Sequence, residues 1–316
     1  MIVVVGEALI DIVAGNDGRR EELVGGGPLN IAVGLSRLDQ PALLITQTGD
    51  DAYGEQIASY LHRNEVELVS RPTSTGRTNT ATATLAADGS ASYAFDLEWT
   101  LQHQELPRCD ALHVGSLGTA LEPGRGTVVD LVEQAWAHDV FISFDPNLRT
   151  QFLGDREQAW RDVESLADRS GLVKMSNEDV DLLHPGADPA DIARSLLGGD
   201  RTELVVITHG ASGAAAYTKN AEAWVDAPRV DTVDTVGAGD SFMSALLAVL
   251  VAEGAIGAYG AGMPDAEASL TRLIGGAALA AAITCSRRGA NPPTRAELPD
   301  GWPNGSQGGS PGGSAG

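Results

Sequence analysis

Cysteine is nearly absent from this chain of 316 residues: only Cys109 and Cys285 occur, far apart and outside any C-x-x-C pair. That argues against a disulfide framework and a thiolate zinc site, and two buried, reduced thiols are expected. Lysine is equally scarce, with Lys174 and Lys219 as its two examples, and acidic residues outnumber basic ones 43 to 21 for a formal net charge of −22. Such a surface repels nucleic acid and anionic membranes, whose binding rests on Lys and Arg, so neither is expected as a partner. The same field opposes anionic small molecules, and a nucleotide would need a divalent cation and local backbone donors. The six histidines show neither H-x-x-x-H nor H-E-x-x-H spacing, which argues against catalytic zinc. No 18-residue apolar run is read in the chain, and Ile2-Val3-Val4-Val5 lacks a basic flank or an A-x-A cleavage site. Neither a leader nor a membrane span is expected, and a cytoplasmic location is.

What is present is ordinary for a globular α/β chain. Hydrophobic residues make up 43%, aromatics only 5%, and glycine 38 positions, so the core is expected to be aliphatic with many tight turns. Short apolar runs bounded by glycine alternate with helical stretches. Residues 2–5, 43–46, 111–117, 140–144, 172–175 and 204–208 read as buried strands. Helices are expected near 28–38, 52–64, 126–138, 156–168, 189–197, 238–253 and 265–284. The alternation implies a mostly parallel sheet covered by helices on both faces. Two stretches break it. The period-2 run Thr78–Leu85, then Asp88-Gly89 and Ser90–Phe95, predicts a hairpin projecting from the main sheet. Gly213–Ala227 reads as an edge hairpin. We expect one domain over 1–302, with a small β lid drawn from about 10–24 and 76–100. The Gly/Ser-rich stretch 303–316 is expected to be a disordered tail.

Chemistry concentrates in Asp234-Thr235-Val236-Gly237-Ala238-Gly239-Asp240-Ser241-Phe242, which runs straight into an apolar helix. Glycines beside a helix start aim unpaired N–H groups into one concavity, a nest for a phosphate oxygen or developing anion. Asp240 at its rim is placed to take a proton from an attacking hydroxyl. Read locally, the same string is a Gly-rich turn with an acidic residue in the first helical turn.

The nine-residue string resembles the C-terminal signature of the PfkB (ribokinase-like) carbohydrate kinases. Other elements agree, in order along residues 6–293: Gly6-Glu7-Ala8-Leu9-Ile10-Asp11, Gly25-Gly26-Gly27-Pro28-Leu29-Asn30-Ile31-Ala32, Asp145-Pro146-Asn147-Leu148-Arg149, Thr208-His209-Gly210-Ala211-Ser212-Gly213 and Arg288-Gly289-Ala290-Asn291-Pro292-Pro293. The Asp145 and Arg288 elements resemble the fructokinase-like branch. No G-x-x-x-x-G-K-[ST] occurs, so a P-loop kinase is not the match. The resemblance implies a ribokinase-like fold and ATP-dependent phosphorylation of a sugar hydroxyl with Mg²⁺. It implies Asp240 as base and Gly237, Ala238 and Gly239 as anion hole. Thr208, Gly210 and Gly213 would lie along the nucleotide and Asn291 near the adenine. Asp11, Gly26 and Asn30 would hold the sugar. Asp234 and the Val236 carbonyl match a monovalent-cation (K⁺) position.

One departure matters. Where the family carries N-x-x-E, this chain has Ser176-Asn177-Glu178-Asp179, so the water-mediated magnesium role falls to Asp179 or its neighbour Glu178. The flap offers Asn79, Thr82, Tyr93, Phe95 and Glu98, with no arginine between Thr78 and Leu106. An acidic sugar such as 2-keto-3-deoxygluconate would call for arginine there, and Arg149 is the one candidate. A neutral sugar is therefore expected, fructose first, with ribose, an acidic sugar or a nucleoside as alternatives. A non-catalytic sugar sensor on the same fold is the rival of another class. Exposed flap edges also predict a homodimer through the lid.

Overall fold

The computed structural model describes residues 1–14, 20–85, 91–256 and 262–303. The Asp88-Gly89 turn and the tail from residue 304 lie outside them, as does the side chain of Tyr93. Among the described residues the strands form two sheets.

The large sheet contains β1 (Ile2–Val5), β4 (Ala42–Thr48), β5 (Glu67–Pro72), β8 (Ala111–Gly115), β9 (Phe141–Asp145), β10 (Leu172–Ser176), β11 (Leu204–Thr208), β12 (Gly213–Tyr217) and β13 (Glu222–Asp226). Its order is β13-β12-β11-β10-β9-β8-β1-β4-β5. From β5 through β11 every pairing is parallel, and β12 and β13 add an antiparallel hairpin at one edge. The small sheet contains β2 (Leu9–Ala14), β3 (Arg20–Gly25), β6 (Thr80–Leu85) and β7 (Ala91–Asp96), in the order β3-β2-β6-β7.

Parallel central strands bury both faces, and β1 shows it directly. Ile2 and Val4 point into one apolar cluster, Val3 and Val5 into the other. The first cluster is closed by α1 (Gly27–Arg37), α2 (Ala52–Arg63), α8 (Ala238–Ala252) and α9 (Glu267–Cys285). The second is covered by α4 (Gly124–Ala137), α5 (Arg156–Ala167), α6 (Asn177–Leu183) and α7 (Pro189–Leu196). α8 is buried from Asp240 through Leu250. α9 has a mean hydropathy of 1.5 over enough length to cross a membrane. Here it is a core helix whose Leu270, Leu273, Ile274 and Ala277 pack inside.

Three expectations need correction. The strand expected over 111–117 ends at Gly115, and Ser116, at φ 52°, opens the short helix α3 (Ser116–Ala120). β5 was not expected: E-L-V-S-R-P lacks a clean apolar alternation because it is an edge strand, where proline and arginine are tolerated. The cysteines are free but half-buried rather than buried.

Candidate active site

The carboxyl ends of the parallel strands and the small sheet enclose a cavity of about 760 Å³. Crevices form there in open α/β sheets because the chain leaves successive strands toward opposite faces. Two helices start at its wall. α1 begins after Gly26, whose φ of 111° and close approach to the Glu7 carbonyl, 2.6 Å from where a Cβ would stand, both demand glycine. Pro28 sits in the first turn, where its missing N–H costs nothing. α8 begins after Gly237, at φ 75° and tight against Ala290. The two helix starts meet through a buried hydrogen bond: Asn30 Nδ2 donates to Asp240 Oδ2 at 2.9 Å.

Asp240 is the centre of the electrostatics. Burial pushes its carboxyl up to about 6, and the Asp145 charge adds to that, against the Asn30 hydrogen bond, Lys174 and Arg149. It is thus ionised at neutral pH yet basic enough to accept a proton, the balance a general base needs. Across the cavity, burial and then the Asp240 charge push Asp11 up to about 6. Burial pushes Glu7 to about 7, although Ser116 and the Gly118 N–H hydrogen-bond its carboxylate. Lys174 Nζ donates to Asp145 Oδ2 at 2.6 Å, with both side chains almost wholly buried. Burial works against the ammonium, but Asp145, Asp179 and Asp240 outweigh it and raise Lys174 above its ordinary value.

The residues singled out from sequence fall unevenly. Asp11, Gly26, Asn30, Phe95, Arg149, Thr208, Asp179, Asp234, Val236, Gly237, Gly239 and Asp240 all line the cavity, with Ala238 between its two glycines. Gly210 and Gly213 lie off its wall, in a 3₁₀ turn and at the start of β12. Asn291 is placed elsewhere: its Oδ1 accepts from Arg37 Nη1 at 2.6 Å, on a separate groove with Arg63 and Thr294. Its position behind α1 removes it from the cavity where a nucleotide was expected. His209 faces the Trp224 ring at 5.1 Å and shares a neighbouring groove with Glu178 and Asp179.

Of the flap residues, Ala81, Ala83 and Phe95 face the cavity, so strand alternation turns Thr82 to the other side. Asn79 bonds the backbone of Glu98 in both directions, and the Glu98 carboxylate accepts from the Ser74 and Thr75 N–H groups and Thr100 Oγ1. These two residues fasten the base of the small sheet. Asp51 caps α2 and also accepts from the Thr78 N–H and hydroxyl. Glu7, Asp145, Lys174, Ser116 and Asn147 line the cavity without having been assigned a role from sequence. Lys174 carried a signal: one of two lysines, set in an apolar strand.

Asp179 Oδ2 accepts from the Ser176 N–H and hydroxyl, completing the capping box of α6, and Oδ1 accepts from the Leu148 N–H. Glu178 is exposed beside it. Among the described residues no three His, Cys, Asp or Glu side chains converge as a cage. Such a donor set would suit an ion ligated mainly by phosphate oxygens and water, with Asp179 or Glu178 acting through water. Asp234 accepts from the Val236 and Gly289 N–H groups at 3.0 and 2.8 Å, tying the anion-hole loop to the 287–290 segment.

Fold and site define an α/β protein whose buried Asp240 carboxylate stands beside a glycine-rich helix start on the cavity wall. The pfkB family carbohydrate kinase pattern matches residues 1–297. A probable fructokinase-4 of Arabidopsis thaliana is 33% identical over 318 residues, covering 94% of this chain and 95% of that protein. A fructokinase of Rhizobium leguminosarum bv. trifolii is 36% identical over 262 residues, 79% of each chain. Fructokinase from Vibrio cholerae O395, solved with fructose, ADP and calcium ion bound, has a TM-score of 0.76 at 25% identity, covering 92% of this chain and 94% of that one. The chain belongs to the pfkB family of carbohydrate kinases, and is an ATP-dependent sugar kinase.

Proposed function

We propose that the acceptor is fructose. The likeness to proteins named fructokinase and to a fructose-bound neighbour supports that choice, and the Asp240 carboxylate held by Asn30 on the cavity wall supports the transfer chemistry. A fructose hydroxyl oxygen attacks the γ-phosphorus of ATP and its proton passes to Asp240. The bond from that phosphorus to the β,γ-bridging oxygen breaks, and ADP leaves with the electron pair. Backbone N–H groups at the start of α8 face the developing negative charge. Mg²⁺ would neutralise phosphate charge, which counts for more on a chain of net charge −22. Thr208 would border the nucleotide side, with Gly210 and Gly213 set back from the cavity wall, and a K⁺ near Asp234 would brace the loop.

The cavity's cations favour a neutral acceptor. Lys174 is paired with Asp145, Arg288 with Glu21, and Arg149 is engaged by Asn147 and the Leu148 carbonyl. Each of these cations already has a protein oxygen as partner, so among the described residues no cation on the cavity wall is left wholly unpaired. The small sheet would act as a lid that excludes water as a competing acceptor. The edge of β3, unpaired among the described residues, is where a second copy would pair, checked by light scattering of the full chain.

The test is ADP release from MgATP against fructose, ribose, tagatose, 2-keto-3-deoxygluconate, adenosine and no acceptor. Fructose should give the highest kcat/KM, and Asp240→Asn should cut kcat by about 10² or more with ATP affinity little changed. Faster turnover of the acidic sugar or of adenosine would overturn the assignment.

A further inference from the structure

Lys174 lies inside the fold, on β10 between Val173 and Met175, and is only 4% exposed. Removing an ammonium from water is costly, and an apolar side chain would pack the same strand without that cost. Its Nζ has one hydrogen-bond partner among the described residues, Asp145 Oδ2 at 2.6 Å. Two of its three N–H bonds are therefore unmatched on the cavity wall. The other oxygen, Asp145 Oδ1, is buried without a partner. Nζ lies 3.8 Å from where a Cβ on Gly239 would stand, directly beneath the loop that starts α8. A phosphoryl group seated on that loop has its oxygens against this ammonium. The other charged groups facing it are Asp145 on β9, Asp179 on α6 and Asp240 on α8, with His113 on β8 next to it. Three carboxylates around one lysine make a poor resting pair and a good receptor for a cation that must also serve an incoming anion.

We propose that Lys174 is a catalytic residue whose ammonium contacts the γ-phosphoryl oxygens during transfer, and that Asp145 is the positioning residue that aims it. This rests on the phosphotransferase reading above. As the hydroxyl oxygen bonds to phosphorus and the bridging oxygen departs with ADP, the ammonium keeps its protons and donates hydrogen bonds to oxygens gaining charge. It works from the side of the γ-phosphoryl opposite the solvent, where a cation is worth most.

Three variants and one complex decide it: Lys174→Met, Asp145→Asn, the double variant, and wild type with MgADP, aluminium fluoride and fructose. Breaking one partner leaves a lone buried charge, so Lys174→Met is expected to lose stability, while the double variant, neutral on both sides, recovers most of it. If the proposal holds, the double variant melts near wild type but its kcat stays down by about 10²–10³-fold. Its ADP affinity stays within about threefold, and aluminium fluoride no longer tightens ADP binding. Asp145→Asn, which keeps the ammonium, retains at least roughly tenfold more kcat than Lys174→Met. In the wild-type complex Nζ stands about 3 Å from a fluoride. A double variant that recovers kcat to within about threefold of wild type would show a purely structural ion pair and overturn the proposal. So would Nζ beyond about 5 Å from every fluoride, a readout that needs no variant to fold. Wild type with no turnover on any sugar would instead sink the underlying reading, which the acceptor panel detects separately.

Discussion

Asp240 bears two opposed demands. Its carboxyl must be out of water to face a sugar hydroxyl, and burial lifts it to about 6. We expect kcat/KM to fall as pH drops through about 6, because the protonated form cannot act as base. Asn30 favours the ionised form through its hydrogen bond, so Asn30→Ala should move that limb to higher pH; a limb that stays put would exclude the Asn30 contact from tuning the base. The same burial has a stability cost whose sign follows from linkage. The folded carboxyl binds its proton more tightly than the ordinary value of 3.8, so its stability contribution is full below about pH 4 and is lost as pH rises through about 6. Asp240→Asn should therefore be more stable than wild type at pH 7.5, by up to about 3 kcal/mol for a shift of this size, and gain much less at pH 4.5. Urea unfolding at the two pH values reads this directly.

At the scale of elements, the site depends on where helices begin. Gly237 sets the start of α8 in a left-handed turn pressed against Ala290. Gly237→Ala combines the φ penalty with a clash, and should cost roughly 1–3 kcal/mol and displace the anion hole. We expect a lower melting temperature together with a kcat loss larger than any change in fructose KM. Asp51 joins the start of α2 to Thr78 at the base of the small sheet through its cap and two further hydrogen bonds. Asp51→Ala should lower unfolding free energy by about 1–2 kcal/mol, measured by urea titration, and loosen the segment that leads into β6.

The whole molecule carries a charge of −22 and takes an anionic co-substrate. Long-range repulsion is screened by salt, whereas contacts inside the cavity are not. KM for MgATP should therefore fall as ionic strength rises from low to physiological, while kcat holds. A rising KM would mean that local cations outweigh the global field. Contacts between the small sheet and the body include Phe95 against Phe152 at 5.3 Å and Glu21 against Arg288, and on the lid reading proposed above these side chains would gate its movement.

The order of strands and helices was legible from apolar runs and glycine turns, because burial on two faces writes itself into consecutive residues. The family motifs likewise marked Asp11, Asn30 and Asp240, since helix starts and glycine nests are local constructions. What lay beyond the sequence were relations between distant segments. β5 could not be seen because an edge strand is held by its neighbour rather than by its own composition. Asn291 belongs to a groove with Arg37 only because the segment after α9 passes behind α1. The sequence leaves the water-mediated magnesium role to Asp179 or Glu178, but only the fold shows that the Asp179 carboxylate accepts from the Leu148 N–H, 31 residues away in the chain, and from the start of α6. The Lys174–Asp145 pair, and the raised values of Glu7, Asp11 and Asp240, exist because tertiary packing removes several charges from water at one place. Local sequence chose the chemical groups; the tertiary fold decided their solvation, and so their charge.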